Sequence, residues 1–324
     1  MRNCLLLVLV SVSIPAAWGQ SVLSAKSGTI HHVDGKASIS GYDLKPTKTG
    51  EFPALEENQI LNTEDAHAEV LLTPGVFLRL GEQSQLKMVS NKLTDTRVQL
   101  LAGSALVEVG EILPGNQIAV QVGDYRATLG KAGLYRFDSM PDRVRVFEGK
   151  VELASASEQF ATMTVKAGRE LVAGNAQTVK FDRKKADELY AWSAQRSALV
   201  ARANISAARS AASSSAYRSN GSQWVFLPSF GLFTYLPMNG IWSSPFGYQY
   251  YSPRQVWVIY QPRYSNPGYS ASNSGFGDGS MSRGGGGGGV PASAAGGSFG
   301  GAASSAAPAR SGGGGGMPSG GARR

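Results

Sequence analysis

Three histidines are the only imidazoles in this 324-residue chain, and they narrow the metal and acid–base chemistry open to it. His31 and His32 are neighbours, so on an extended strand they face opposite sides and cannot ligate one metal together. His67 stands apart. With no His-x-His, Glu-x-x-His or cysteine pair, the expectation is no metal site. Gly123-Asp-Tyr-Arg-Ala-Thr-Leu-Gly-Lys131 has the outline of a phosphate loop. Six residues lie between its glycines, however, and Ala132 stands where Ser or Thr is required, so no nucleotide or other cofactor is expected. There is no Gly-x-Ser-x-Gly elbow to raise a nucleophile. Glu56-Glu57 and Glu64-Asp65 lie in polar, turn-like surroundings and read as solvated surface. A hidden glycosidase would need two inward carboxylates in one cleft. No residue is assigned a catalytic role, and the chain reads as non-enzymatic.

The strongest binding signal is aromatic. Trp224, Phe226, Phe230, Phe233, Tyr235, Trp242, Phe246, Tyr248, Tyr250 and Tyr251 fall within 28 residues. Aromatic faces can stack on sugars or peptides, and Trp and Tyr add a polar tip. All of these except Phe233 are taken as possible partner-binding residues. The competing reading makes them the core of a small module, or a flap over a neighbouring sheet.

The elements that must position these residues change character along the chain. Residues 20–181 carry short strand-like runs: 28–33, 37–40, 68–72, 76–80, 85–89, 97–101, 105–109, 117–122, 126–129, 133–138, 143–147 and 150–153. Gly or Pro-Gly breaks them at Thr73-Pro-Gly75, Ala102-Gly103, Leu113-Pro-Gly115, Val122-Gly123 and Glu148-Gly149. That spacing predicts an all-β domain, a sandwich or barrel-like roll of short antiparallel strands. Charged and apolar residues alternate on both sides of Glu148-Gly149, which predicts a hairpin over 143–153 with one buried face. Residues 182–212 shift to helical spacing: Leu189, Trp192, Leu199 and Ala203 share a face, Asp182 is the expected N-cap, and Arg196, Arg202 and Arg209 fall on the wet side. Residues 213–265 form the aromatic, Pro/Gly-rich module, expected to hold two or three small strands. Residues 266–324 are Gly/Ser/Ala-rich. They cannot bury enough apolar surface to offset an ordering cost of ~1–2 kcal/mol per residue, and a disordered tail is expected.

Residues 1–19 read as an export signal: Arg2, an apolar stretch from Leu5 to Val12, and Ala17-Trp18-Gly19 before the cleavage point. The expected location is the periplasm or cell surface, with no membrane span left after cleavage. The single cysteine, Cys4, lies in that signal, so the exported chain would have no disulfide. Charge is uneven. Residues 20–181 hold 17 Lys and Arg against 19 Asp and Glu, whereas residues 219–324 hold 6 against 1. The basic character belongs to the C-terminal part, and no compact basic patch suggests nucleic acid.

The ordered strands resemble one family. Gly28-x-Ile30 to Gly35-Lys-Ala-Ser-Ile39 is similar to the opening strand pair of the FecR periplasmic-domain family. Glu57–Thr63, Ala66–Leu72, Pro74–Leu80 and Ser84–Leu86 resemble its middle. Leu101–Val109, Ala127–Gly130, Gly133–Phe137, Val144–Val151 and Val165–Leu171 resemble its second half. The segment Leu-Pro-x-Asn-Gly-x-x-x-Ser-Pro-Phe-Gly is similar to a C-terminal extension of FecR-domain proteins in environmental bacteria such as acidobacteria. Founding members of the family resemble anti-sigma regulators with a cytoplasmic domain and a membrane span that relay iron-siderophore receptor status. Neither part is legible here. The resemblance therefore implies an exported interaction or sensory module whose partner is an envelope protein or polysaccharide. The alternatives are a surface or matrix protein acting through its basic Gly-rich tail, or a component of sigma-factor and iron-uptake signalling despite the missing parts.

Overall fold

The computed structural model describes residues 27–44, 51–155, 161–175, 177–214 and 221–260. The expected export signal and Gly-rich tail lie outside them. Seventeen strands come first: β1 (Thr29–Asp34), β2 (Ala37–Ile39), β3 (Tyr42–Asp43), β4 (Ile60–Thr63), β5 (His67–Leu71), β6 (Val76–Leu80), β7 (Gln85–Lys92), β8 (Asp95–Ala102), β9 (Ser104–Val109), β10 (Ile118–Val122), β11 (Tyr125–Thr128), β12 (Gly133–Ser139), β13 (Asp142–Glu148), β14 (Lys150–Ser155), β15 (Met163–Lys166), β16 (Arg169–Val172) and β17 (Val179–Lys180). A long helix, α1 (Glu188–Ser213), follows. Two hairpins, β18 (Gln223–Leu227) with β19 (Leu232–Leu236) and β20 (Ile241–Ser243) with β21 (Gln249–Tyr251), precede a short helix α2 (Pro253–Tyr260). No described helix is long and apolar enough to cross a membrane.

The strands form a sandwich. One sheet runs β1-β5-β6-β9-β12-β13-β16-β17, the other β15-β14-β11-β10-β8-β7-β4-β2-β3. Both orders follow the chain almost monotonically. The chain lays one to three strands in one layer, crosses to the other, and advances along the sandwich axis. Between the layers lies one continuous core, with Val70, Leu78, Val107, Phe137 and Val146 from the first sheet meeting Leu86, Val98, Val120 and Leu153 from the second. Alternation drives this arrangement: in β10 (Ile118–Val122) buried and half-buried residues alternate strictly, as period-2 geometry demands.

Two expectations are corrected here. The Glu148-Gly149 turn does not close a hairpin. β13 pairs with β12 and β16 in the first sheet, whereas β14 pairs with β11 and β15 in the second. The turn is a corner between layers, and both flanking strands alternate because each has its own partners. A Cβ on Gly149 (φ +87°) would sit 2.5 Å from Tyr135 Oη and 2.6 Å from the Ala132 carbonyl oxygen. The strands are also not all antiparallel: β10 lies parallel to β8, because β9 between them in sequence occupies the other sheet.

The helix starts later than expected. Asp187 is its N-cap, accepting from the Tyr190 amide at 3.0 Å, whereas Asp182 accepts from the Lys184 amide in a preceding turn. Its buried face is polar as well as apolar: Ser193, Arg196, Ser197, Val200, Asn204 and Ala207 are buried, and Trp192 and Leu199 are half-buried. Apolar periodicity located the helix but placed Arg196 on the wrong side.

Gly149→Ala is expected to destabilise the fold by at least about 2 kcal/mol, since it adds a left-handed strain of ~1 kcal/mol to a backbone clash. Gly130→Ala, where a Cβ meets nothing within 4 Å, is expected to be near neutral. Urea unfolding of both variants checks this; equal midpoints would contradict it.

Candidate functional site

The outer face of the first sheet is the most unusual surface of the molecule. Glu69 on β5 and Arg79 on β6 are cross-strand partners, and Glu108 lies on neighbouring β9. All three are fully buried. Arg79 Nε donates to Glu69 Oε2 at 2.8 Å, and its Nη1 donates to Glu108 Oε2 at 2.7 Å. From α1, Arg196 Nη2 donates to Glu69 Oε1 at 2.8 Å, and Ser197 Oγ donates to Glu108. Ser244, beyond β20, also donates to Glu108. Two carboxylates and two guanidiniums thus balance in a site without solvent. Burial pushes the Glu69 carboxyl up, but Arg196 and Arg79 outweigh it and hold the group well below the usual carboxylate range.

His31 completes the network. The β1–β5 register shifts between Ile30 and His32, a β-bulge that leaves His31 without a cross-strand partner. Both His31 and His32 therefore reach the outer side, contrary to the alternation expected of a regular strand. His31 Nδ1 lies 2.7 Å from Glu69 Oε1, and its Nε2 accepts from the Phe233 amide at 2.8 Å. One donor and one acceptor fix a neutral imidazole with its proton on Nδ1. Burial lowers its pKa in the same sense, against the pull of Glu69.

α1 and the two hairpins after it close over this face. Asn204, fully buried on α1, uses its Nδ2 to donate to the carbonyls of Tyr235 and Tyr251, and its Oδ1 to accept from the Tyr251 amide at 2.7 Å. This is the asparagine of Asn204-Ile-Ser206, which matches a glycosylation pattern; its burial forbids that use. Thr234 Oγ1 donates to the Val200 carbonyl. The Trp242 ring lies flat on Gly110, where a Cβ would sit 2.6 Å from it, and the Tyr235 ring lies 3.1 Å from the Cβ position of Gly75. Tyr235 also donates to Glu111, as does Ser222.

These positions settle where the candidate aromatics stand. Trp224, Tyr235 and Tyr250 are buried against Phe77 and Val200, so they meet the chain itself and cannot meet a partner from solvent. Phe226, Trp242, Phe246 and Tyr251 are half-buried in the same layer. Phe230 and Tyr248 are exposed. The flap reading accounts for most of the cluster. Sequence reasoning missed the carboxylates and guanidiniums beneath it, because charged residues in strands read as wet-face residues when no covering layer is foreseen.

Where α1 stops covering the face, a cleft of about 370 Å³ stays open. Gln83, Ser104, Asp138, Ser139, Met140, Arg143 and Arg145 line it. Asp138 is clamped: Arg145 Nη2 donates to it at 2.6 Å, Arg136 Nε at 2.9 Å and Ser104 Oγ at 2.7 Å. Burial raises its carboxyl, but Arg136 and Arg145 prevail and hold it low. Such a carboxylate is a poor general acid. Arg143 pairs with Glu170 at 3.8 Å, and the Nε of Arg143 and of Arg145 has no hydrogen-bond partner among the described residues.

Residues 59–152, from β4 to β14, match the model of the family described as FecR protein. That segment is similar to a FecR domain. The match includes Glu69, Arg79 and Glu108 but none of α1 or the hairpins that cover them. The fold also resembles two crystal structures of a candidate anti-sigma factor from Parabacteroides distasonis, at 15% and 16% identity and TM-scores of 0.33 and 0.32. These matches cover 42% of this chain and 64% and 62% of theirs, under two thirds of those proteins. No curated protein matches the chain.

Breaking the network from the FecR side is expected to be costly. Arg79→Met leaves Glu69 and Glu108 facing each other without their shared cation, and should destabilise by about 3–5 kcal/mol. Adding Glu69→Gln and Glu108→Gln should recover part of that loss in urea unfolding. Acid acts on the same face. Glu69 is held low in the fold, so its contribution is present above the unfolded carboxylate range and is lost as pH falls through the folded value. His31 is also held low, and His32 falls from 6.5 to about 4, chiefly through burial, with Arg196 adding to it. Below pH 6.5 the unfolded imidazoles take up protons that the fold refuses, so stability drops with pH from about 6.5 downward. His32→Gln should flatten part of that slope between pH 6.5 and 4. Thermal melts across this range that stay level for the unsubstituted chain would refute the assignment.

Proposed function

We propose that this protein is an exported, non-enzymatic interaction or sensory module. In it a FecR domain, closed on one face by its own C-terminal extension, recognises an envelope protein or polymer through the cleft that remains open. The observation that carries this reading is the cleft's chemistry. Its two guanidiniums, Arg143 and Arg145, each keep an Nε without a hydrogen-bond partner among the described residues, while the one carboxylate in the lining is already clamped by arginines. Guanidinium donors left over in this way suit carboxylate or phosphate groups, which both occur on envelope proteins and polymers. The carboxylates that do share a site, Glu69 and Glu108, are sealed from solvent and bridged by Arg79, which weighs against acid–base catalysis there. Exposed Phe230 and Tyr248 remain available for an aromatic contact.

The test is retention of the purified chain on envelope fractions and on isolated cell-wall polymer. Arg143→Ala should weaken retention roughly ten- to a hundredfold, in line with about 1.5–3 kcal/mol for a hydrogen bond to a charged group, and Arg143→Lys should restore part of it. Retention that ignores Arg143, or no retention on any fraction, sinks the reading.

A further inference from the structure

We infer that His67, Glu82 and Glu188 form a binding site for a divalent transition metal of the zinc class, joining the FecR domain to its extension. One ligand atom from each of the three lies within 4.8 Å of the others. His67 opens β5, Glu82 follows Gly81 in the turn after β6, and Glu188 is the first residue of α1. The three are far apart in sequence, so no spacing motif announces them.

The imidazole is the observation that points to a ligand. His67 is 7% exposed, and neither ring nitrogen has a hydrogen-bond partner among the described residues. The two carboxylates beside it are both exposed. Trp192 fixes the ring from behind, stacking at 5.0 Å and 26°. Trp192 stands four residues after Glu188 on the same helix face, so the turn that places the indole on His67 also brings Glu188 beside it. The indole is itself held, its Nε1 donating to Asp34 at 3.3 Å.

One imidazole nitrogen and two carboxylate oxygens suit zinc with a water in the fourth position. Tetrahedral ligands about 2.0–2.2 Å from zinc stand roughly 3.3–3.5 Å apart, so the exposed glutamates must draw in by about an ångström. Both lie on solvent-facing side chains that can do so, and the same opening lets the ion enter. The bound cation would also offset the repulsion between two carboxylates held at one imidazole. Because Glu188 belongs to the extension and the other two to the FecR domain, occupancy stabilises the sealed arrangement.

The experiment uses the full, untagged chain, with Zn²⁺ followed by calorimetric titration and thermal melting, and Co²⁺ as a spectroscopic stand-in. One equivalent of Zn²⁺ should bind and raise the melting temperature, and Co²⁺ should give visible bands of a site with nitrogen ligation. Glu188→Gln and Glu82→Gln, both at exposed positions, should each weaken binding at least tenfold and remove the thermal gain without unfolding the apo chain. His67→Gln should abolish the Co²⁺ bands. Zn²⁺ affinity unchanged in both glutamate variants, no stoichiometric binding, or an equal thermal gain from Mg²⁺ or Ca²⁺ would each overturn the assignment.

Discussion

The Glu69–Arg79–Glu108 ion network is the constraint around which the rest of the molecule is arranged. Three charged side chains sit on the outer face of a sheet and are removed from water completely. Arg79 alone cannot satisfy two carboxylates, each of which has about four acceptor positions. The chain must therefore bring further donors to this face, and it brings them from α1 and from beyond β20: Arg196, Ser197 and Ser244. The sealing layer follows from that need. A sandwich with this face bare would expose the cluster to water, and a purely apolar cover would bury charge without partners, at a cost of several kcal/mol per ion.

Stability itself comes from elsewhere. The inter-sheet core holds dozens of buried apolar side chains, and each Val, Leu or Phe contributes roughly 1.5–3 kcal/mol on burial. Buried ion pairs give little net stability, because desolvation consumes most of the Coulombic gain. What the network supplies is register. Arg196 reaches Glu69 and Ser197 reaches Glu108 only if α1 lies at one rotation and one translation on the sheet. Asn204 then fixes both hairpins to the helix. The small residues of its buried face, Ser193, Ser197, Ala201, Ala207 and Ala208, let that helix approach closely enough for the contacts to form.

The β layers were legible because each strand carries its own period. β6 and most of β5, β9, β12 and β13 follow directly from alternation and the glycine breaks. The assembly of those strands was not. Alternation on both sides of Glu148-Gly149 is compatible with a hairpin or with a corner between layers, and no local signal separates them. What decides is the partner strand, β16 on one side and β11 on the other, and pairing over such distances is invisible to a window of ten residues. The bulge at His31 escaped for the same reason: it is a misfit between two strands, not a property of one.

The candidate site was legible in reverse. Aromatic crowding between Trp224 and Tyr251 correctly marks a layer that covers something, but the eye goes to the rings and not to what they cover. Glu69, Arg79 and Glu108 look like wet-face residues as long as their strands are taken to have one solvated face. Phe77 and Leu71 are the contrary clue, because they share that outer face with the charges and are buried under the extension. A large apolar residue two positions from a charge on the supposedly wet face of a strand calls for a second covering layer, whatever the charge beside it. From that layer the rest follows: a helix rich in small residues is needed to approach, its polar residues must answer the charges, and the arginine that periodicity placed in water has to turn inward.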